Sequence, residues 1–254
     1  MPEYRKEGAD YWSKQGIDNE IPVAVYQDYV AAEEYRRVLE NFVLQDRLVL
    51  NLAAGYPPQA TNHRTFSAPT EIELCLKEKN ARLTAVDIAE DPLKKRNKED
   101  EEVVKANVFR LPFANESIDG GCVLINFLNA HYKSDGKTFF LTPQEREELL
   151  REIFRVLKKD TFLIISNFGH FVFYEGTKKH TPVTESEIST FETIKRIADK
   201  LGFSRIEEIS LDQQREETAT KTAVENLPPQ YRDIVKSGKM DLKCDNAWAA
   251  ILVK

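Results

Sequence analysis

The sequence predicts an α/β protein with a doubly wound, mostly parallel seven-stranded sheet, helices on both faces and an antiparallel pair of strands at one edge. Three observations predict it. Short apolar segments alternate with stretches of helical periodicity, the pattern of a parallel sheet covered on both sides. The leading strand segment, RLVLNLAAG, is almost continuously apolar, as a strand buried on both faces is. The last two strand-like segments have no core helix between them, which points to antiparallel pairing.

The elements follow in order. Residues 1–30 are polar and aromatic, and AAEEYRRVLENF then places Tyr35, Val38, Leu39 and Phe42 on one helix face. Strands are expected at 47–55, 81–88, EEVVKANV, 119–128 and 161–168, with TEIELCLKEK as a helix between the first two. LPFANES is a turn-forming loop between the third and fourth. Thr142, Pro143 and Glu145 predict a capping box with proline at the first helical position, followed by Leu149, Leu150, Ile153, Phe154 and Leu157 at helical spacing. A further helix carries Phe191, Ile194, Ala198 and Leu201 on one face and ends at Gly202. FSRIEEISL and NAWAAILVK are the closing strands, and the polar 212–245 stretch between them has room for two short helices. KKRNKEDEEVVK mixes both signs and is expected to be a solvated helix end and loop.

Composition narrows the function. At 254 residues the chain has room for one large α/β domain with a substantial core. A net charge of −6 provides no basic footprint, so nucleic acid is not the expected partner. No apolar run approaches the roughly 18 residues of a membrane span, and MPEYRKEGADYW lacks the apolar core of a signal peptide. Cys75, Cys122 and Cys244 are far apart and never in a CxxC pair, which fits buried small residues in a reducing cytoplasm. No His, Asp or Glu spacing reads as a metal site.

In a doubly wound sheet, ligands bind outside the carboxyl ends of the strands, where the strand order reverses. The residues to read there are Asn51 to Pro58, Asp87 and Ile88, Asn107 and Val108, and Asn126 to His131. The first strand ends Asn51-Leu-Ala-Ala-Gly55-Tyr-Pro-Pro and the second ends at Asp87 in LTAVDI. The third leads into Asn107-Val-Phe-Arg-Leu111-Pro112-Phe113, and Ser117-Ile118-Asp119 opens the fourth. A helix closes on Glu152-Ile-Phe-Arg155-Val156-Leu157-Lys158.

This ordered series, over about residues 45 to 210, resembles the class I S-adenosylmethionine-dependent methyltransferases, and within them the type 11 branch. The resemblance implies a Rossmann-like fold and S-adenosylmethionine as cofactor. It implies cofactor contacts from Asn51, Ala53, Gly55, Asp87, Ile88, Asn107, Val108 and Asn126. Each has a chemical reason. Glycine lets backbone approach the ligand without a Cβ, and a carboxylate accepts two hydrogen bonds from a ribose diol. Asn107 has a carbonyl oxygen to offer the adenine amino group. The first motif departs from the family's Asp-x-Gly-x-Gly-x-Gly: Asn51 replaces the aspartate, Ala53 fills a glycine position and Pro57 stands where a third glycine is usual. Bland alternatives stay open, with Asp87 as a polar strand end, Gly55 as a turn glycine, and Asn51 and Asn107 as capping residues.

The expected organisation is a single domain over 1–254, with an N-terminal helical lid (1–44), a cofactor-binding core (45–170) and a C-terminal part (171–254) whose 212–245 stretch is a substrate-side insertion. The expected reaction is methyl transfer to an oxygen, nitrogen or carbon of a small molecule. His131 is the candidate base, and Tyr26, Tyr29, Phe168, Phe171 and Tyr174 are the candidate substrate-side residues. A loop histidine and packed loop aromatics are the alternatives at those positions. The altered glycine motif also fits a second class, a methyltransferase-like protein with little or no activity that serves as a binding partner or regulatory subunit. A nicotinamide-dependent oxidoreductase is disfavoured, because the first loop lacks Gly-x-Gly-x-x-Gly. The oligomeric state is left open.

Overall fold

The computed structural model describes residues 31–55, 71–97, 102–125, 127, 131–134, 137–167, 170–180, 190–212, 217, 220–221, 224–225, 229–245 and 248–254. Its elements in chain order are helix α1 over 31–39, β1 (Leu48–Leu52), α2 (Glu71–Glu78), β2 (Arg82–Asp87), α3 (Glu90–Asn97), β3 (Glu102–Lys105) and β4 (Gly121–Ile125). There follow β5 (His131–Ser134), β6 (Lys137–Phe140), α4 (Pro143–Val156), β7 (Phe162–Asn167), β8 (His170–Glu175) and β9 (Lys178–His180). The rest is α5 (Phe191–Leu201), β10 (Arg205–Ile209), α6 (Pro229–Lys236), β11 (Asp241–Asp245) and β12 (Trp248–Val253).

Seven strands form the main sheet in the order β10-β12-β7-β4-β1-β2-β3. β1, β2, β3, β4 and β7 run parallel, while β12 is antiparallel to both β7 and β10. The expected fold class is therefore the observed one. Alternation of side chains across the strands explains the two layers of core. Leu50, Leu52, Cys122, Leu124, Leu163 and Ile165 point to one face, where Leu149, Leu150 and Ile153 of α4 and Ile194 and Ala198 of α5 cover them. Val49, Val123, Phe162 and Ile164 point to the other, against Tyr35, Val38 and Leu39 of α1 and Ile72, Cys75 and Leu76 of α2. Each fully buried aliphatic side chain here contributes roughly 1.5–3 kcal/mol.

The helix ends follow the sequence signals. Thr142 Oγ1 accepts from the Glu145 amide at 3.2 Å while Glu145 Oε2 accepts from the Thr142 amide at 2.9 Å, so the box at the start of α4 is complete. Thr190 caps α5, which stops at Gly202 with a left-handed φ of +92°.

Besides an unforeseen antiparallel β5–β6 pair after β4, three regions differ from expectation. The first helix gives way to a turn after Leu39, yet Phe42 still packs inward, its ring 4.8 Å from that of Phe162. The segment beyond β7 is not a plain loop: β8 pairs antiparallel with β11 and β9 in a separate three-stranded sheet. The 212–245 stretch thus contributes a strand as well as helix α6. Third, the basic run in α3 is only partly solvated. Arg96 is buried at 2% exposure, on a stripe with Ala89, Pro92 and Leu93.

Candidate functional site

The strand order reverses between β1 and β4, since β2 and β3 extend the sheet on one side and β4 and β7 on the other. Register aligns Leu52 of β1 with Val86 of β2 and Leu124 of β4, so their carboxyl ends open onto one edge. The loop leaving β1 turns sharply there. Ala53 and Gly55 both take left-handed φ values, +52° and +57°. Glycine adopts that conformation freely, whereas alanine pays for it. Among the described residues, a Cβ on Gly55 would meet nothing within 4 Å, so none of them fills the space beside it.

Asp87 closes β2 directly beneath that loop. Its Oδ2 accepts from the Gly55 amide at 2.8 Å and its Oδ1 from the Ala89 amide at 2.8 Å. Burial pushes its pKa up from the ordinary carboxylate value, and the amide donors of Ala89, Gly55 and Ile88, with Arg96 nearby, offset only part of that. A carboxylate has about four lone-pair sites, so the backbone donors leave capacity for a ligand hydroxyl. The next strand end is adjacent: the Ala106 amide donates to the Asp87 carbonyl at 2.9 Å. Asn107 Oδ1 accepts from the Phe109 amide at 3.0 Å, an Asx turn that orients this corner, and Val108 is buried beside it.

Asn51 sits on the α2 face of β1, where its Nδ2 donates to Glu73 Oε1 beneath the loop. Glu73 Oε1 also meets Arg96 Nη2 at 3.2 Å, both side chains being 2–3% exposed. Arg96 in turn donates from Nε to the Gly55 carbonyl at 2.9 Å and from Nη2 to the Ala54 carbonyl at 2.8 Å. Glu73 and Arg96 were not among the sequence candidates. Helical spacing was the available signal, since each shares a stripe with buried apolar residues, Glu73 with Leu76 and Arg96 with Leu93.

A second arginine holds the neighbouring loop after β3. Arg155 donates from Nη1 to the Phe113 carbonyl at 2.9 Å and Asn115 Oδ1 at 2.8 Å, and from Nη2 to the Leu111 carbonyl at 3.2 Å. Its partner Glu152 accepts from the Leu111 amide at 2.7 Å.

The structure thus gathers Ala53, Gly55, Asp87 and half-buried Ile88 at one edge, with Asn107 and Val108 on the next strand end and Asn51 below. Asn126, Phe168, Tyr26 and Tyr29 lie outside the described residues. His131 begins β5 opposite Phe140, and Phe171 and Tyr174 lie on β8 opposite Cys244 and Asp241. No helix among the described residues is long and apolar enough to cross a membrane.

Comparison with known proteins fits this geometry. The family model of a methyltransferase domain matches residues 70–165. No curated protein matches the chain. Among solved structures, a putative sarcosine dimethylglycine methyltransferase from Galdieria sulphuraria superposes with a TM-score of 0.52 at 12% identity, covering 89% of this chain and 84% of that one. A phosphoethanolamine N-methyltransferase of Haemonchus contortus, solved with phosphomonomethylethanolamine and S-adenosylhomocysteine, gives 0.53 at 14% identity, covering 97% of this chain and 60% of the other. The [4+2]-cyclase SpnF gives 0.52 at 12% identity over 87% and 79%.

Proposed function

We propose that this chain, whose residues 70–165 match a methyltransferase domain and whose fold is shared with solved methyltransferases, is a class I S-adenosylmethionine-dependent methyltransferase that methylates an oxygen, nitrogen or carbon of a small molecule. The observation that carries the cofactor assignment is Asp87, held by backbone amides at the end of β2 across from the open side of Gly55. These residues fit the cofactor: Asp87 would take the ribose hydroxyls, the 53–55 loop the amino-acid portion, and Asn107 with Val108 the adenine. When bound, S-adenosylmethionine supplies an already activated sulfonium methyl to an in-line attacking atom. The protein's contribution is then positioning and exclusion of water. His131, just past the end of β4, is the proposed base for an acceptor that must lose a proton.

A small acceptor is supported by the net charge of −6, which disfavours a polyanion, and by aromatic residues on the segment after β7. Phe168, Phe171 and Tyr174, with Tyr26 and Tyr29 as a lid, would line its site in a single domain. Buried Cys75 and Cys122 fit a cytoplasmic setting.

Titration calorimetry with S-adenosylmethionine tests the reading. Micromolar binding is expected, weakened about tenfold or more by Asp87→Ala, since hydrogen bonds to a charged group are worth about 1.5–3 kcal/mol. Silence at millimolar ligand would leave the binding-partner class as the better account.

A further inference from the structure

The 54–55 peptide is gripped from both ends. Its carbonyl, that of Ala54, accepts from Arg96 Nη2 at 2.8 Å, and its N–H, that of Gly55, donates to Asp87 Oδ2 at 2.8 Å. Arg96 Nε also takes the next carbonyl, that of Gly55, at 2.9 Å. A peptide's N–H and C=O point in opposite directions, so Arg96 and Asp87 lie on opposite sides of the loop and determine its orientation between them. Were this peptide to flip, its carbonyl would face the Asp87 carboxylate, and Asp87 would lose one of the amides that hold it. The planar guanidinium suits this task, because its donors form a rigid fork that reaches two carbonyls and a carboxylate together.

A guanidinium at 2% exposure needs a counter-charge. Glu73 supplies it from α2 at 3.2 Å and is itself anchored by the Asn51 amide. Asn51 stands where the family carries an aspartate, so the negative charge absent from β1 reappears one layer away, on the helix beside it.

We propose that Arg96, compensated by Glu73, is the positioning residue of the S-adenosylmethionine site: by fixing the 54–55 peptide it keeps Gly55 open to ligand and Asp87 aimed at the ribose. The inference rests on the cofactor reading above. Arg96 acts through backbone and Asp87, and touches no ligand itself.

The experiment is calorimetry of the full chain with S-adenosylhomocysteine, well below each variant's melting temperature. Arg96→Lys keeps the charge but loses the fork, and should weaken binding about tenfold while remaining folded. The double variant Arg96→Met with Glu73→Met removes both charges together, an exchange that buried ion pairs tolerate. It should fold and bind at least as weakly as the lysine variant. Lys94→Met, on the exposed side of the same helix, should bind as wild type. A merely structural role would lower the melting temperature and leave the dissociation constant alone. If Arg96→Lys, or the double variant where the lysine form fails to fold, binds like wild type, the inference is overturned. Should wild type itself not bind, the cofactor reading falls first, and that outcome differs from a wild type that binds and a variant that binds equally.

Discussion

Two loops, one at the carboxyl ends of β1 and β2 and one leading from β3 back to the start of β4, are held by the same device in different surroundings. In each, an arginine from a helix donates to two loop carbonyls and pairs with a glutamate: Arg96 with Glu73 for the loop after β1, and Arg155 with Glu152 for the loop after β3. The first pair is sealed at 2–3% exposure, whereas Arg155 keeps 32% of its side chain exposed. Water therefore shares the load at Arg155, while at Arg96 every lost contact strands a buried charge. The lesson is that a network's worth depends less on its bond list than on whether solvent can replace its members.

The largest effect expected from this contrast is on Arg96→Ala, which leaves Glu73 buried without its cation and should cost about 3–5 kcal/mol. Arg155→Ala should cost about 1 kcal/mol, because water reaches the groups left behind. Urea denaturation of both variants measures the gap, and equal losses would dissolve the comparison.

Asn51→Asp comes next. Despite restoring the residue usual in the family this chain resembles, it removes the donor to Glu73 and sets a second carboxylate against it in a buried place. A loss of about 2 kcal/mol at neutral pH is expected, from the lost hydrogen bond to a charged group alone. The loss should shrink as the pH falls and one carboxylate takes up a proton. A variant as stable as wild type at pH 8 would mean that the Asn51–Glu73 contact contributes nothing.

The two loops should also respond oppositely to pH. Burial raises the native pKa of Asp87, so its contribution to stability is full below its ordinary pKa and is lost as pH rises through the raised value. Glu152 is held below the usual carboxylate range, chiefly by the hydrogen bond from Arg155, so its contribution is present above its ordinary pKa and is lost as pH falls through the lowered value. In pH-dependent denaturation, Asp87→Asn should remove the first slope and Glu152→Gln the second. Slopes of the same sign for both residues would contradict this assignment. Glu152 is more exposed, so its slope should be the smaller.

The same two loops mark how far a sequence can be read. Arg155 lies in a stretch that resembles the family's helix end, and its partners are the residues of the Leu111-Pro112-Phe113 motif, so both halves of that network carried a visible signal. Arg96 sits in a run of charges that reads as solvated, and two of its neighbours in sequence, Lys94 and Lys95, do face outward to differing degrees. Only the helical stripe with Ala89, Pro92 and Leu93 hinted that the third cation turns in, and periodicity cannot say which ion awaits it there.

What the sequence by itself determined is the chain order of the seven main-sheet strands, the antiparallel closing pair, the caps at Thr142 and Gly202, and the strand ends that bear Gly55, Asp87 and Asn107. These are local matters, set by hydrophobic period, by capping side chains and by where apolar runs stop. Tertiary structure alone decided that β8 pairs with β11 about seventy residues later, that Asn51 turns toward α2, and that Glu73 and Arg96 meet beneath the loop. Such choices depend on what faces a side chain across the fold. A charge is buried only where a distant element brings its counter-charge, and that partner has no fixed separation along the chain.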